Sequence, residues 1–325
     1  MERLKKTALM PVILILALLI FTSCGSETVK SDQKIKIVAT IFPEYDWVSN
    51  ILGDNQADTD VTLLIDNGVD LHSYQPTVDD VIKISTCDIF IYVGGESDKW
   101  VCDALKEARN RDMIVIDLME ILGDAAKEEE IKEGMQGEDH NDHEHEEVEY
   151  DEHVWLSVRN AALFCEKIEE AIETKDPVNA AEYRENLLKY KEELRKLDSE
   201  YKTVFENATV KTLLFGDRFP FRYFTDDYGL DYYAAFAGCS AETEASFETV
   251  VFLAGKVDEL GIKTVFTIEG SEKKIAETIV KNTKTKDRKI ASLDSMQSTT
   301  LKDIENGVTY LSVMEKNLEV LKKAL

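Results

Sequence analysis

The sequence predicts an α/β protein of two lobes, each a four-stranded, mostly parallel sheet flanked by helices, joined by one long linking helix. Three observations carry this. Short β-branched runs alternate with helical patterns, which is how a parallel sheet reads along a chain. The alternation comes in two blocks of four strands, at 34–176 and 208–325. Between them, 177–207 reads as one uninterrupted helix with Tyr183, Leu187, Tyr190, Leu194 and Leu197 on an apolar stripe. At 1.5 Å per residue that helix spans about 45 Å, enough to serve both lobes.

The elements follow in order. KIKIVATIF (34–42) is a strand by its β-branched content, and PEYDWVSNILG (43–53) a helix that stops at Gly53. VTLLI (61–65) is a second strand, followed by a loop in which Gly68 permits a turn. A helix starts near Pro76, with Asp79 and Asp80 in its first turn. DIFIYVGG (88–95) and MIVIDL (113–118) complete the first block. Beyond the linking helix come TLLFGD (212–217), a helix from Pro220, DYYAAFAG (231–238) and the helix of ASFETVVFLAGKVDELG (245–261). KTVFTIEG (263–270), a helix, KIASLD (289–294) and the amphipathic GVTYLSVMEKNLEVLKKAL (307–325) finish the chain. Aromatic residues around FPFRYFTDDYGLDYYAAF (219–236) read as core.

The first 24 residues read as an export signal. Arg3, Lys5 and Lys6 precede the apolar run ALMPVILILALLIF, too short and wrongly flanked for a permanent span. The run ends at Phe21-Thr22-Ser23-Cys24-Gly25, which resembles a bacterial lipobox. Cys24 is therefore expected to be lipidated and to anchor a soluble domain to a membrane face, with 25–33 as a polar tether. Cys87, Cys102, Cys165 and Cys239 form neither a disulfide framework nor a C-x-x-C motif, and their pairing is left open.

The net charge of −26 argues against nucleic acid as a partner and in favour of cations. The segment 124–152 alone holds 14 Asp/Glu against Lys127 and Lys132, a net of −12. Four of the five histidines lie in or beside its densest part: His140, His143, His145 and His153. Residues 140–150 lack apolar period and read as a mobile acidic loop; from His153 onward the spacing is helical. Imidazole with carboxylate suits a borderline divalent ion, so His153 reads as a fixed ligand and the loop as its antechamber. There is no H-E-x-x-H, no G-x-S-x-G and no phosphate-cradling glycine loop.

Several motifs together resemble the metal-binding lipoproteins that serve ABC importers of zinc and manganese, the cluster A-I solute-binding proteins. Gly68-Val69-Asp70-Leu71-His72-Ser73-Tyr74-Gln75-Pro76 is similar to the family's G-x-x-P-H-x-Y-x-P, with Leu71 where proline is usual. Asp151-Glu152-His153-Val154-Trp155-Leu156 resembles D-P-H-x-W-L, with Glu152 in place of proline. Arg222-Tyr223-Phe224 through Tyr228-Gly229-Leu230 looks like the family's aromatic helix. Leu293-Asp294-Ser295 and Tyr310, Met314, Asn317 and Leu318 look like its closing segments. The acidic His-rich loop is itself typical of the zinc members.

The resemblance implies an extracytoplasmic metal-ion receptor, a monomer and not an enzyme, that delivers its ion to an ABC permease and its ATPase subunit. It implies His72 and His153 as ligands from the N-terminal lobe and Asp294 from the C-terminal lobe. The family's remaining ligand, His or Glu, falls at Arg218, which cannot coordinate a metal. Either water completes the shell, or Asp217, Glu242 or Glu244 compensates and pairs with Arg218. Zn²⁺ is the expected ion, with capture at His140, His143 and His145, and Mn²⁺ the alternative. Two further alternatives stay open: Arg218 holding an anion or a chelated metal, and a zinc-dependent hydrolase.

Overall fold

The computed structural model describes residues 34–137, 149–240 and 244–325. The body from Ile35 onward is one compact unit containing two four-stranded sheets. Its strands are β1 (Ile35–Ala39), β2 (Thr59–Leu63), β3 (Ile89–Tyr92), β4 (Ile114–Asp117), β5 (Thr212–Phe219), β6 (Asp231–Ala237), β7 (Thr264–Ile268) and β8 (Lys289–Leu293). Sheet order is β2-β1-β3-β4 in the first lobe and β6-β5-β7-β8 in the second, and every pairing is parallel. Parallel strands are covered on both faces, which is why β7 is buried along its whole length. In both lobes the strand order reverses direction beside the first strand, and ligands collect beyond the carboxyl ends at such a reversal.

The helices are α1 (Phe42–Leu52), α2 (Val78–Thr86), α3 (Val101–Lys106), α4 (Leu118–Leu122), α5 (Val158–Lys175), α6 (Ala180–Asn207), α7 (Arg222–Tyr228), α8 (Phe247–Leu260), α9 (Lys274–Asn282), α10 (Leu301–Glu305) and α11 (Tyr310–Ala324). Their ends are chemically marked. Thr77 and Asp80 cap α2 reciprocally, and Gly229 and Gly261 end α7 and α8 in the left-handed conformation. The linking helix α6 begins at Ala180, three residues after Pro177. Asp176 accepts hydrogen bonds from Asn179 Nδ2 and the Tyr183 hydroxyl, each at 2.6 Å, and holds the entering chain in a turn.

One continuous apolar core runs through α1, α5, α6 and α11 and joins the inner faces of both sheets. The C-terminal helix α11 packs on α6, α1 and β8, so the last segment of the chain braces both lobes. Among the described residues, no helix is long and apolar enough to cross a membrane. Cys24, His140, His143, His145 and Glu242 lie outside the described residues.

The acidic segment is not uniform: ahead of the loop read at 140–150, residues 126–137 are strapped onto the second lobe. Gln136 N donates to Ala235 O at 2.9 Å, and Glu130 accepts from the Tyr232 hydroxyl and pairs with Arg222. Lys132 pairs with Asp231, and an isolated bridge joins Glu128 to Tyr150. The carboxylates hidden in this acidic text find basic and hydroxyl partners that only the fold brings near.

Candidate metal centre

His72 sits in the loop after β2, on a single tight turn (Leu71–Ser73). The Asp70 carboxylate caps this turn, with Oδ1 accepting from His72 N at 3.0 Å. His153 lies where the chain enters a second tight turn (Val154–Leu156) ahead of α5. Its surroundings come from both lobes. The Tyr223 hydroxyl donates to Asp151 O, Trp155 Nε1 donates to Ser295 O, and the Tyr310 hydroxyl donates to Trp155 O. His153 is fully buried, whereas the His72 side chain keeps 12% exposure at the edge of the site.

The two imidazoles face each other with Nε2 atoms 3.2 Å apart. Their far nitrogens are both committed. His153 Nδ1 donates to Asp151 Oδ1 at 3.0 Å; His72 Nδ1 lies 2.7 Å from Ser97 Oγ and 3.5 Å from Glu152 Oε2. The Asp151 carboxylate assigns the His153 ring hydrogen to Nδ1, and the same tautomer in His72, with Nδ1 donating to Ser97 Oγ, leaves lone pairs on both Nε2 atoms. Two lone pairs at 3.2 Å repel unless a proton or a metal cation lies between them. A tetrahedral Zn²⁺ with Zn–N of about 2.0–2.1 Å requires its nitrogens about 3.3 Å apart. The donor geometry therefore fits a divalent ion as it stands.

The electrostatics point the same way. Burial works against the charged imidazolium of His153, but Asp151 outweighs it and raises the pKa above the ordinary 6.5. Burial pushes the Glu152 carboxyl up, yet hydrogen bonds from His72 and Ser97 hold it below its usual range. Glu152 Oε1 accepts from Ser97 N at 2.8 Å. Gly95 makes room for this carboxylate, since a Cβ there would lie 2.5 Å from Glu152 Oε1. The unusual glutamate in place of proline thus lies behind the His72 ring, and only that departure from the motif could have signalled it.

Among the described residues Arg218, on β5, pairs through its side chain with neither Asp217 nor Glu244. Its Nη2 donates to Asp70 Oδ2 at 2.6 Å, tying the second lobe to the loop that carries His72. Burial pushes Asp70 up, but Arg218 and then His72 pull its pKa below the usual carboxylate value. Asp217 turns back on its own strand, accepting from Arg218 N at 2.9 Å, and Glu244 is exposed before α8.

Among the described residues, the metal-ligating atoms gathered within 4.8 Å of one another belong to His72, His153 and Cys239. Asp294 is not in that group. Its Oδ1 accepts from Met296 N at 2.8 Å, its backbone is clamped by Asn317, and burial raises its pKa. Cys239, just beyond β6, is the member the sequence reading missed. A lone cysteine in A-G-C-S carries no ligand spacing, so nothing local marked it. Cys87, Cys102, Cys165 and Cys239 are all free thiols. Burial raises the Cys239 pKa strongly, helped by the nearby Glu129, Asp151 and Glu152 carboxylates. A cleft of about 330 Å³ opens onto His72 and Cys239 and is lined by Glu129, Glu149 and Glu152.

With this geometry in view, similarity to known proteins decides the family. The sequence model described as "Zinc-uptake complex component A periplasmic" matches residues 37–324. The chain belongs to the ZnuA family. This is a family of zinc-uptake components, not of enzymes. The chain is 27% identical to "High-affinity zinc uptake system protein ZnuA" of Bacillus subtilis (strain 168) over 321 residues, 94% of each chain. It is 27% identical to "Zinc-binding protein AdcA" of Streptococcus pyogenes serotype M18 over 324 residues, 98% of this chain. That match spans only 61% of the AdcA relative's length. The Zn(II)-bound ZnuA-like domain of Streptococcus pneumoniae AdcA is similar in structure at TM-score 0.69 and 28% identity. That match covers 90% of this chain and 98% of that one. The metal-dependent lipoprotein YcdH of Bacillus subtilis gives TM-score 0.72 at 26% identity over 90% and 99%.

Proposed function

We propose that the chain is the extracytoplasmic Zn²⁺ receptor of an ABC importer, lipid-anchored through Cys24, monomeric, and delivering its ion to a permease driven by an ATPase subunit. One observation carries the reading. Two imidazoles, one fully buried and one 12% exposed, face each other with Nε2 atoms 3.2 Å apart, the far nitrogen of His153 held by the Asp151 carboxylate and that of His72 by Ser97 Oγ. In the tautomer with both ring hydrogens on Nδ1 this arrangement presents two lone pairs to one ion, and Asp151 holds the His153 ring in that tautomer. The zinc named in the AdcA and ZnuA relatives supports the same ion. Arg218 is neutralised by Asp70, which removes the ground for an anion or metal-chelate ligand.

In this reading the net negative segment concentrates cations near the cleft, and His140, His143 and His145 bind them weakly before transfer. The ion enters from the side of His72, the more exposed imidazole, and settles against His153. Acidification releases it, because protons compete for the same lone pairs. The raised His153 pKa strengthens that competition. Deleting 138–147 is expected to spare the tight site and slow capture at low metal.

The test is a competitive titration of Zn²⁺ and Mn²⁺ into the wild-type chain and the His72→Ala, His153→Ala double variant. One tight Zn²⁺ site that disappears in the double variant supports the reading. A tight site that survives it places the ion elsewhere and overturns it.

A further inference from the structure

The residue that the C-terminal lobe would offer an ion is unassigned, since Arg218 is turned onto Asp70 and Asp294 stands outside the ligand group. We propose that the Cys239 thiolate is that ligand, so that the centre is a two-histidine, one-cysteine site with a fourth position left to solvent from the cleft. This rests on the receptor reading and adds the donor that distinguishes Zn²⁺ from harder ions.

Position comes first. Cys239 Sγ lies within 4.8 Å of ligating nitrogens of both His72 and His153. A tetrahedral zinc site asks for about 3.5 Å between sulfur and nitrogen donors, from Zn–S of about 2.3 Å and Zn–N of about 2.0–2.1 Å. A small side-chain adjustment closes that difference.

The backbone under Cys239 is also fixed. Cys239 N donates to Glu129 Oε1 at 3.0 Å, using the strap that crosses the second lobe. The preceding Gly238 lies flat against the His153 ring. A Cβ there would sit 3.0 Å from His153 Cε1, 3.1 Å from Nδ1 and 2.9 Å from Phe219 O. Any larger residue at 238 would lift the Gly238-Cys239 strip away from the imidazoles. The remaining described thiols lack this setting: Cys87 and Cys165 are buried in apolar surroundings and Cys102 is exposed.

The chemistry follows from the donor set. On coordination a Zn–S bond forms and the thiol proton passes to solvent, one proton per ion. Thiolate with two imidazoles favours Zn²⁺ and disfavours Mn²⁺, which takes oxygen donors.

The experiment uses the full chain loaded with Co²⁺ as a spectroscopic stand-in for Zn²⁺, alongside alkylation by iodoacetamide read by mass spectrometry. A sulfur-to-cobalt charge-transfer band in the near ultraviolet is expected in the wild type and lost in Cys239→Ser. Zn²⁺ affinity is expected to fall at least about tenfold in that variant, with Mn²⁺ affinity little changed. In the unaltered wild-type protein, Zn²⁺ should protect Cys239 from alkylation while Cys102 reacts equally with and without the ion. Tight Zn²⁺ binding without the band and without protection overturns the thiolate ligand and leaves the two-histidine receptor standing. A chain that takes up no ion tightly overturns both.

Discussion

His153 and His72 hold equivalent places in the motifs that carry them, yet the fold treats them differently. The segment around His153 is walled in by Tyr223, Ser295, Tyr310 and Gly238, residues that all come from the second half of the chain. His72 rides a one-turn loop held by Asp70, Ser97 and Glu152, tied across the lobes through Arg218 and, at the loop's start, through the Asn67–Thr300 bridge and the Leu301 N to Asp66 O hydrogen bond. One imidazole is part of the core and the other is part of the surface that borders the cleft. A site built this way has a fixed wall and an adjustable door, which suits an ion that must enter and later leave.

The sharpest way to break that contrast is to remove each ring in turn. His153→Ala is expected to abolish tight Zn²⁺ binding and also to destabilise the ion-free protein by about 1–3 kcal/mol, because buried partners lose their ring. His72→Ala should abolish tight binding just as fully while shifting ion-free stability by no more than about 0.5 kcal/mol. Urea unfolding beside metal titration separates the two. Equal stability losses would mean the wall and the door are not distinct.

A smaller effect is expected from the carboxylate behind the door. Glu152→Gln should weaken Zn²⁺ binding about 10- to 100-fold by loosening the His72 tautomer, with the ion-to-protein ratio unchanged. Smaller again is Arg218→Ala, which frees Asp70 and lets the His72 turn wander. Dissociation of Zn²⁺ should quicken several-fold while the midpoint of urea unfolding stays put. An unchanged off-rate would show that the Arg218–Asp70 pair does not steady the loop.

A separate effect, on the stability of the ion-free protein rather than on the metal, is expected from pH acting through buried carboxylates of the first lobe. Burial raises Glu44 from 4.5 to about 8, against hydrogen bonds from Ile41 and Thr40; burial likewise raises Asp98 to about 7. The folded state holds these protons more tightly than the unfolded chain does. Their stabilising contribution is therefore full below the ordinary carboxylate range and is lost as pH rises through the folded values. The melting temperature of the ion-free chain should decline between about pH 4.5 and about 8, and Glu44→Gln should flatten the decline.

Local patterning determined a great deal here. The eight strands and the long helix were legible because β-branched runs and helical spacing are written within a few residues of each other. The family motifs marked His72 and His153, and the structure brings those two together. What the sequence could not show was every relation that depends on distant chain segments meeting. Arg218 was read against its neighbours in sequence, but its partner is Asp70, 148 positions away. Glu152 looked like a lost proline and is a buried support for a histidine 80 positions earlier. Cys239 had no spacing to betray it, because its companions arrive from two separate loops of the other lobe. Strand and helix preferences are local, so one chain suffices to read them. A metal centre at the junction of two sheets is made of non-local pairings, and only the packing of the tertiary structure fixes which side chains converge.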